Sequence, residues 1–321
     1  MSQAKYRGYS VFGRSLETRE QLRLAPAVSD RFDLQYDVCW GEKPCEWACA
    51  QVVFQSAALD EEGNPQFVIR GQDGQYRFRY SDIATFDLTQ SSVVCYPEPD
   101  IPNETLNDLF LRNVLPLWIE FQGIVALHAA AIVTERGAIG FLSHSGNGKS
   151  SLAARLTQDG YPLLTDDVLA IELQRGDFVA HPGYPYIKLW PPEAEYFLGH
   201  CEDLELVDPG SSKRWVPIGA KGLGSFCEST QRLKRLYVLE RYAPTEDRGD
   251  IQIVPISPRD AVIELVRYSF AYPVVENVGL QPRRIGFFSH LARQIPIRRL
   301  RYPSGFEHLP RVREAIVRDC E

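Results

Sequence analysis

Short runs with the period of a half-buried strand open the chain. FVIR (67–70) and QYRFRY (75–80) flank Asp73-Gly74, a turn dipeptide, and together they predict a hairpin. QSSVVC (90–95) predicts another strand, after which Pro97, Pro99 and Pro102 punctuate the chain and mark a domain junction. Residues 1–100 therefore read as a small β-rich module. From Glu104 to Phe121 the period becomes helical, with Leu106, Leu109, Phe110 and Leu117 on one side. Pro116 should kink or split that helix, and Gly123 should stop it.

IVALHAAAIV (124–133) and AIGFLS (138–143) predict two strands around a turn at Glu135-Arg136-Gly137. A helix follows from Lys149 to about Gln158, with Leu152, Ala153 and Leu156 on its apolar side. YPLLTDDVLAIEL (161–173) predicts a strand carrying two adjacent aspartates. Residues 181–195, rich in proline and aromatics, predict a packed loop with a short strand through Ile187 and Leu189. LKRLYVLERY (233–242) and IQIVPI (251–256) predict strands. Ser257, Pro258 and Asp260 then fit the cap, first and third positions of a helix over AVIELVRYSF. An apolar segment (295–302) and a short helix after Phe306 end the chain. Residues 101–321, which hold both strands and helices, read as the remaining domain behind the β-rich module.

Composition changes this picture little. The 321 residues are 44% hydrophobic and 24% charged, ordinary for a globular protein. A net charge of −7 argues against nonspecific nucleic-acid binding. No run of 18 apolar residues exists, so no membrane-spanning helix is expected, and the MSQAKYRGYS start lacks the apolar stretch of a secretory signal. A cytoplasmic location is expected. Cys39, Cys45 and Cys49 lie close together without a zinc-like spacing, and free thiols in a reducing compartment are the simpler reading.

The chemistry begins at Ser143-His144-Ser145-Gly146-Asn147-Gly148-Lys149-Ser150-Ser151. This nearly matches the phosphate-loop pattern of glycine, four residues, then Gly-Lys-Ser, with Ser143 in place of the first glycine. Gly146 and Gly148 let backbone N–H groups face phosphate oxygens, and the following helix adds its positive end. Lys149 can reach the β and γ phosphates, and Ser150 can ligate Mg²⁺. A strand before and a helix after complete the context for ATP binding.

Asp166 and Asp167 follow the loop lysine by 17 and 18 residues in an apolar setting, where carboxylates need partners or ions. On a regular strand they would face opposite ways. If both approach the nucleotide, Asp166 is expected to be the base for an attacking hydroxyl and Asp167 the metal-side residue. His128, on the strand before the loop strand, is a candidate to touch the γ-phosphate or to orient an aspartate, against the commoner structural role of a histidine bonded to a backbone carbonyl. Lys188, Lys213, Arg214 and Lys221 are candidates to neutralise the transferred phosphoryl group, and SSKRW (211–215) reads as a mobile basic loop. Tyr184, Tyr186 and Trp190 are candidates to stack on adenine, although core packing is the commoner fate. Arg283-Arg284 and Arg298-Arg299-Arg301 form basic clusters of the kind that usually lie on solvated faces.

The segment LHAAAIVTERGAIGFLSHSGNGKSSLAARLTQDGYPLLTDDVLAIE (127–172) resembles the catalytic core of the HPr kinase/phosphorylase family. That family has a histidine before a phosphate loop and an Asp-Asp pair after the next helix. The resemblance implies an α/β, phosphoenolpyruvate-carboxykinase-like P-loop kinase core over 101–321, and catalytic roles for His128, Lys149, Asp166 and Asp167. The second glycine-containing signature of the phosphorylase reaction and the usual N-terminal regulatory domain are not found. YRGYSVFGRSL, HPGYPYIKLWPP and LKRLYVLE are instead similar to divergent HPr-kinase-like proteins encoded beside ribosomal-peptide maturation genes. Some of these phosphorylate the C-terminal serine of a lasso-peptide precursor. The resemblance implies an ATP- and Mg²⁺-dependent kinase acting on a peptide or protein serine. A small-molecule hydroxyl kinase and a non-catalytic nucleotide-binding regulator are the alternatives.

Overall fold

The computed structural model describes residues 5–27, 31–47, 49–207, 210–220, 222–243 and 251–320. It is a mixed α/β protein whose chain forms two compact units, residues 1–124 with 271–282, and residues 125–270 with 283–321.

The first unit is built on a nine-stranded sheet of β1 (Arg7–Val11), β2 (Arg14–Thr18), β3 (Ala25–Pro26), β4 (Leu34–Val38), β5 (Gln51–Gln55), β6 (Phe67–Gln72), β7 (Gln75–Tyr80), β8 (Ala84–Leu88) and β9 (Ser92–Pro97). Its order is β3-β1-β2-β4-β9-β8-β7-β6-β5. The predicted hairpin is β6–β7, and both of its turn residues have positive φ, Asp73 at 51° and Gly74 at 76°. That backbone twist matches the twist of the strands it joins, which is why Asp-Gly serves there.

The predicted helix over 104–121 forms as α1 (Asn103–Leu109), a π-helical turn (Phe110–Val114) and α2 (Leu115–Phe121). Pro116 has no N–H to return to the preceding turn, and the widened turn lies just before it. Phe110 stacks on Tyr36 with centroids 3.8 Å apart, Phe121 stacks on Tyr76 at 4.1 Å, and Trp118 donates to the Thr89 carbonyl over 3.0 Å. These contacts tie the helical segment to the β sheet. The first stretch of the first compact unit therefore runs to Ile124, and the expected junction at residue 100 falls within it. The proline cluster marks only the exit from the sheet.

The second unit carries an eight-stranded sheet of β10 (Val125–Thr134), β11 (Gly137–Leu142), β12 (Leu163–Thr165), β13 (Val168–Gln174), β14 (Asp177–His181), β17 (Gln231–Tyr242), β18 (Gln252–Pro255) and β19 (Ile297–Pro303). A separate ribbon pairs β15 (Tyr186–Leu189) with β16 (Arg214–Pro217). The helices are α3 (Lys149–Gln158), α4 (Pro191–Leu198), α5 (Pro258–Arg267), α7 (Gln281–Gln294) and α8 (Leu309–Cys320); α6 (Tyr272–Asn277) belongs to the first unit. The Ser257 hydroxyl accepts from the Asp260 N–H and caps α5 as predicted.

The sheet is apolar on both faces, which explains the unbroken apolar runs of β10 and β11. Ala130, Ile132, Ile139, Phe141, Tyr237 and Leu239 share one core with α3, α4 and α8. Leu127, Ala129, Ala131, Leu142, Leu236 and Val238 share the other with α5 and α7. In α3, fully burying Leu152 and Leu156 contributes roughly 2 kcal/mol each. Strands β11, β17 and β19 run parallel and adjacent. Their C-terminal ends therefore share one edge of the sheet, the edge at which ligands bind in open α/β sheets.

Three segments differ from expectation. Residues 191–198, read as loop, are α4, whose first turn uses Pro191 and Pro192 where an N–H is not needed. Within SSKRW, Arg214 and Trp215 belong to β16, held by pairing with Leu189 and Lys188. The strand over 161–173 is broken at its aspartates into β12 and β13.

Candidate active site

The loop from Ser143 to Gly148 leaves β11 at its C-terminal end and enters α3 at Lys149. Gly146 and Gly148 have φ of 82° and 85°, a conformation in which a side chain is strained. Ser143 is fully buried, and its φ is not positive. A glycine is therefore not required there, which accounts for the departure from the pattern. The Lys149 ammonium lies across the loop mouth, donating to the carbonyls of Ser143 (2.7 Å) and His144 (3.2 Å). His144, Ser145 and Asn147 are exposed at the rim. The Ser151 hydroxyl, inside α3, donates to Glu193.

The two aspartates converge because the strand bends at them. Asp167 has φ of +69°, and the Val168 N–H reaches back to the Asp166 carbonyl over 2.9 Å, closing a three-residue turn. Asp166 is 2% exposed. It accepts from the Ser150 hydroxyl at 2.9 Å on Oδ1 and from the Lys188 backbone N–H at 3.0 Å on Oδ2. Asp167 accepts from the Lys188 ammonium at 2.5 Å on Oδ2, and among the described residues its Oδ1 takes no hydrogen bond. Its side chain keeps 26% of its exposure. One lysine thus ties together both carboxylates, by its main chain and its side chain.

His128 lies between the two halves of the site. Its Nδ1 is 3.1 Å from the Asp167 carbonyl and its Nε2 is 3.1 Å from the Lys149 ammonium. A neutral ring protonated on Nδ1 satisfies both, donating to the carbonyl and accepting from the lysine. The electrostatics agree: burial and then Lys149 hold the His128 pKa below its ordinary value. Burial also lowers the Lys149 pKa, against the opposing pull of Asp166 and Asp167. Burial and the neighbouring Asp167 raise the Asp166 pKa. Burial would raise Asp167 too, but the charge and hydrogen bond of Lys188 outweigh it and hold that carboxyl well below the usual range.

A narrow polar cleft is lined by His128, Lys149, Ser150, Asp167, Lys188 and Lys213. A larger cavity of about 350 Å³ adjoins the loop at Gly146, Gly148 and Ser151. Its walls include Trp190, Glu193, Arg241, Tyr302 and Phe306. Glu193, Arg241, Tyr302 and Phe306 were not legible as site residues. Arg241 and Tyr302 are register partners at the ends of β17 and β19, and only strand pairing brings them to the loop.

Of the basic candidates, Lys188 and Lys213 line the cleft, while Arg214 donates instead to the Leu204 carbonyl over 3.0 Å. Lys221 lies outside the described residues. Of the aromatic candidates, only Trp190 lines the cavity. Tyr184 is a core residue, and Tyr186 packs edge-on against Trp215. The arginine clusters are structural. Arg284, 2% exposed, donates to the carbonyls of Ala126 and Phe270, Arg298 pairs with Asp319, Arg299 with Glu240 and Glu264, and Arg301 with Glu240.

All seven cysteines are free thiols. Among the described residues no group of three or more His, Cys, Asp or Glu side chains forms a metal cage. The Ser150 hydroxyl beside the Asp166 carboxylate is instead a hard-oxygen pair of the kind that holds Mg²⁺ together with phosphate oxygens. Among the described residues no helix is long and apolar enough to cross a membrane.

No protein-family profile matches the chain, and no curated protein does. Among solved structures, the chain is similar to the Hpr(Ser) kinase/phosphatase from Coxiella burnetii, with 13% identity and a TM-score of 0.31 over 60% of this chain and 88% of that one. A likeness this distant carries no argument about fold or chemistry.

Proposed function

We propose that the protein is an ATP- and Mg²⁺-dependent kinase that phosphorylates a serine hydroxyl of a peptide or protein, on a phosphoenolpyruvate-carboxykinase-like core in its second unit. The observation that carries the proposal is the convergence of Lys149, the Ser150–Asp166 hydrogen bond of 2.9 Å and the Lys188–Asp167 pair of 2.5 Å on one glycine-bearing loop. A glycine turn binding nothing has no use for two buried lysines and two carboxylates in a single cleft. Bound ATP with Mg²⁺ would supply the transferable phosphoryl group. Backbone N–H groups of the loop and Lys149 hold the phosphates, while Ser150 and Asp166 hold the metal.

Asp167 accepts the proton of the attacking hydroxyl, because it is the aspartate that keeps exposure and an uncommitted oxygen. Asp166 is enclosed, with both oxygens engaged. Access favours the reverse of the roles that the sequence suggested, whereas the raised Asp166 and lowered Asp167 carboxyls favour those roles as first assigned. Lys188 and Lys213 offset charge on the transferred group. His128 keeps the Lys149 ammonium in position. The resemblance over 127–172 and in the flanking segments supports a serine acceptor, with a ribosomal-peptide precursor as the first candidate. The first unit recruits that acceptor, and the reaction takes place in the cytoplasm.

The test is mass spectrometry after incubation with ATP, Mg²⁺ and serine-bearing peptides encoded nearby. A gain of one phosphate on a defined serine, absent with Lys149→Ala, is expected. ATP binding with no phosphate on any acceptor would instead make the protein a nucleotide-binding regulator.

A further inference from the structure

The larger cavity has two polar groups that the phosphate chemistry leaves unused. Tyr302 is 2% exposed, and among the described residues its hydroxyl has no hydrogen-bond partner. It lies against the loop, since a Cβ built on Gly148 would be 3.0 Å from that oxygen. A buried hydroxyl left unpaired is costly, so it points to an absent partner. Burial pushes its pKa up to about 12, so it remains a donor at neutral pH. On the same cavity wall system is Glu193, tied to the loop helix through the Ser151 hydroxyl. Its Oε2 also accepts from the Trp190 N–H at 2.9 Å, which fixes the carboxylate in place. Each of its oxygens has a second lone pair free to accept.

A donor and an anionic acceptor thus line one cavity, each one contact away from the phosphate-cradling residues. In dinucleotide-binding folds a carboxylate near the phosphate loop is the partner of a ribose hydroxyl, and Glu193 offers the same chemistry. The rest of the lining, Trp190, Pro192, Phe306 and Leu309, suits the flat apolar faces of a base. The cavity volume of about 350 Å³ falls within the range of small-molecule sites, roughly 300–1,000 Å³. Arg241 reaches over the loop, 3.4 Å from the Gly146 carbonyl, and among the described residues it has no carboxylate partner. It adds positive charge on the cavity side of the phosphates.

We propose that Glu193 and Tyr302 bind the sugar hydroxyls, so that the site selects ribonucleoside triphosphates over deoxy analogues. This rests on the nucleotide-binding reading of the loop. Removing the sugar hydroxyl that meets Tyr302 would leave a buried group without its partner, and such sites reject the analogue strongly.

The test is calorimetric titration of the parent protein with ATP, 2′-deoxy-ATP and 3′-deoxy-ATP in Mg²⁺. At least one deoxy analogue is expected to bind about tenfold or more weakly than ATP, as for the loss of a charge-assisted hydrogen bond. Glu193→Gln should shrink that gap, and Tyr302→Phe, which keeps the ring, should weaken ATP about fivefold. Equal affinity of the parent protein for all three nucleotides overturns the proposal while leaving nucleotide binding intact. No ATP binding, with Lys149 unaltered, overturns both. The parent comparison needs no variant, so a folding defect in either substitution leaves the outcome readable.

Discussion

The hydroxyl of Ser150 donates a 2.9 Å hydrogen bond to Oδ1 of Asp166, joining the first turn of α3 to the break between β12 and β13. Residues bound in this way act as one unit. Ser150→Ala and Asp166→Asn should each lower single-turnover phosphoryl transfer by about a hundredfold or more, and the double variant should be little worse than the more damaged single one. ATP affinity measured without metal should stay within about threefold of the parent. Fully additive losses would separate the two residues.

Lys149→Ala should remove most nucleotide affinity, by about a hundredfold in calorimetry, because the ammonium lies across the loop mouth. The far-ultraviolet spectrum should be unchanged, since the carbonyls of Ser143 and His144 can be taken up by water. Retained affinity would show that Lys149 does not contact the phosphates.

The acid–base balance of Asp166 predicts a pH signature. Its carboxyl is pushed up from its ordinary value to about 6. The folded state therefore holds the proton more tightly than the unfolded state, and the contribution of this residue to stability improves as pH falls from above 6 towards 4. It is least favourable at pH 7. The melting temperature of Asp166→Asn minus that of the parent should become more positive between pH 4.5 and pH 7.5, by a few degrees. A flat or falling difference would contradict the raised carboxyl.

Gly146 and Gly148 make a matched pair with the same backbone requirement and different surroundings. A Cβ at Gly146 meets open space, whereas one at Gly148 would be 3.0 Å from the Tyr302 hydroxyl and 3.1 Å from Arg241 Nη1. Gly146→Ala should lower stability by roughly 1 kcal/mol through its left-handed backbone alone. Gly148→Ala should lower it further and also weaken ATP binding. Chemical denaturation and calorimetry on both variants give the comparison, and equal behaviour would deny the crowding.

Backbone strain at Asp167 is measurable once its ion pair is removed. In a Lys188→Met background, Asp167→Gly should be more stable than Asp167→Ala by about 1 kcal/mol, because only glycine accepts a φ of +69° freely. Urea denaturation of the two double variants reads the difference.

Elements with one strong local signal could be read from the chain. Asp73-Gly74 sets the β6–β7 hairpin, Ser257 caps α5, and the run from Lys149 to Gln158 is α3 with the same ends. What local signals do not carry is pairing. β12 and β13 keep a common register against β10, Thr165 opposite Ala131 and Val168 opposite His128, so the expectation of one strand was nearly right. The alternation rule then placed Asp166 and Asp167 on opposite faces. It failed because a left-handed residue turns the second side chain, and an aspartate outside a turn dipeptide does not by itself announce a positive φ. Arg241, Tyr302 and Glu193 stayed hidden for the same kind of reason: each reaches the loop through a strand register or a helix cap more than 40 residues away in sequence. The helices α6 and α7 were not anticipated, although Pro273 and Pro282 stand in their first turns and Phe288, Leu291 and Ile295 recur at helical spacing.

The division of the chain into two units has a consequence for the order of synthesis. A ribosome would release β1 to β9, then most of the second unit, before it released residues 271–282, which complete the first. The segment carrying α6 packs beside β5, made some 200 residues earlier. The first unit must therefore wait, unfinished at that edge, while β10 to β18 emerge. Likewise, a fragment beginning at Val125 would carry those twelve residues away from the sheet to which they belong.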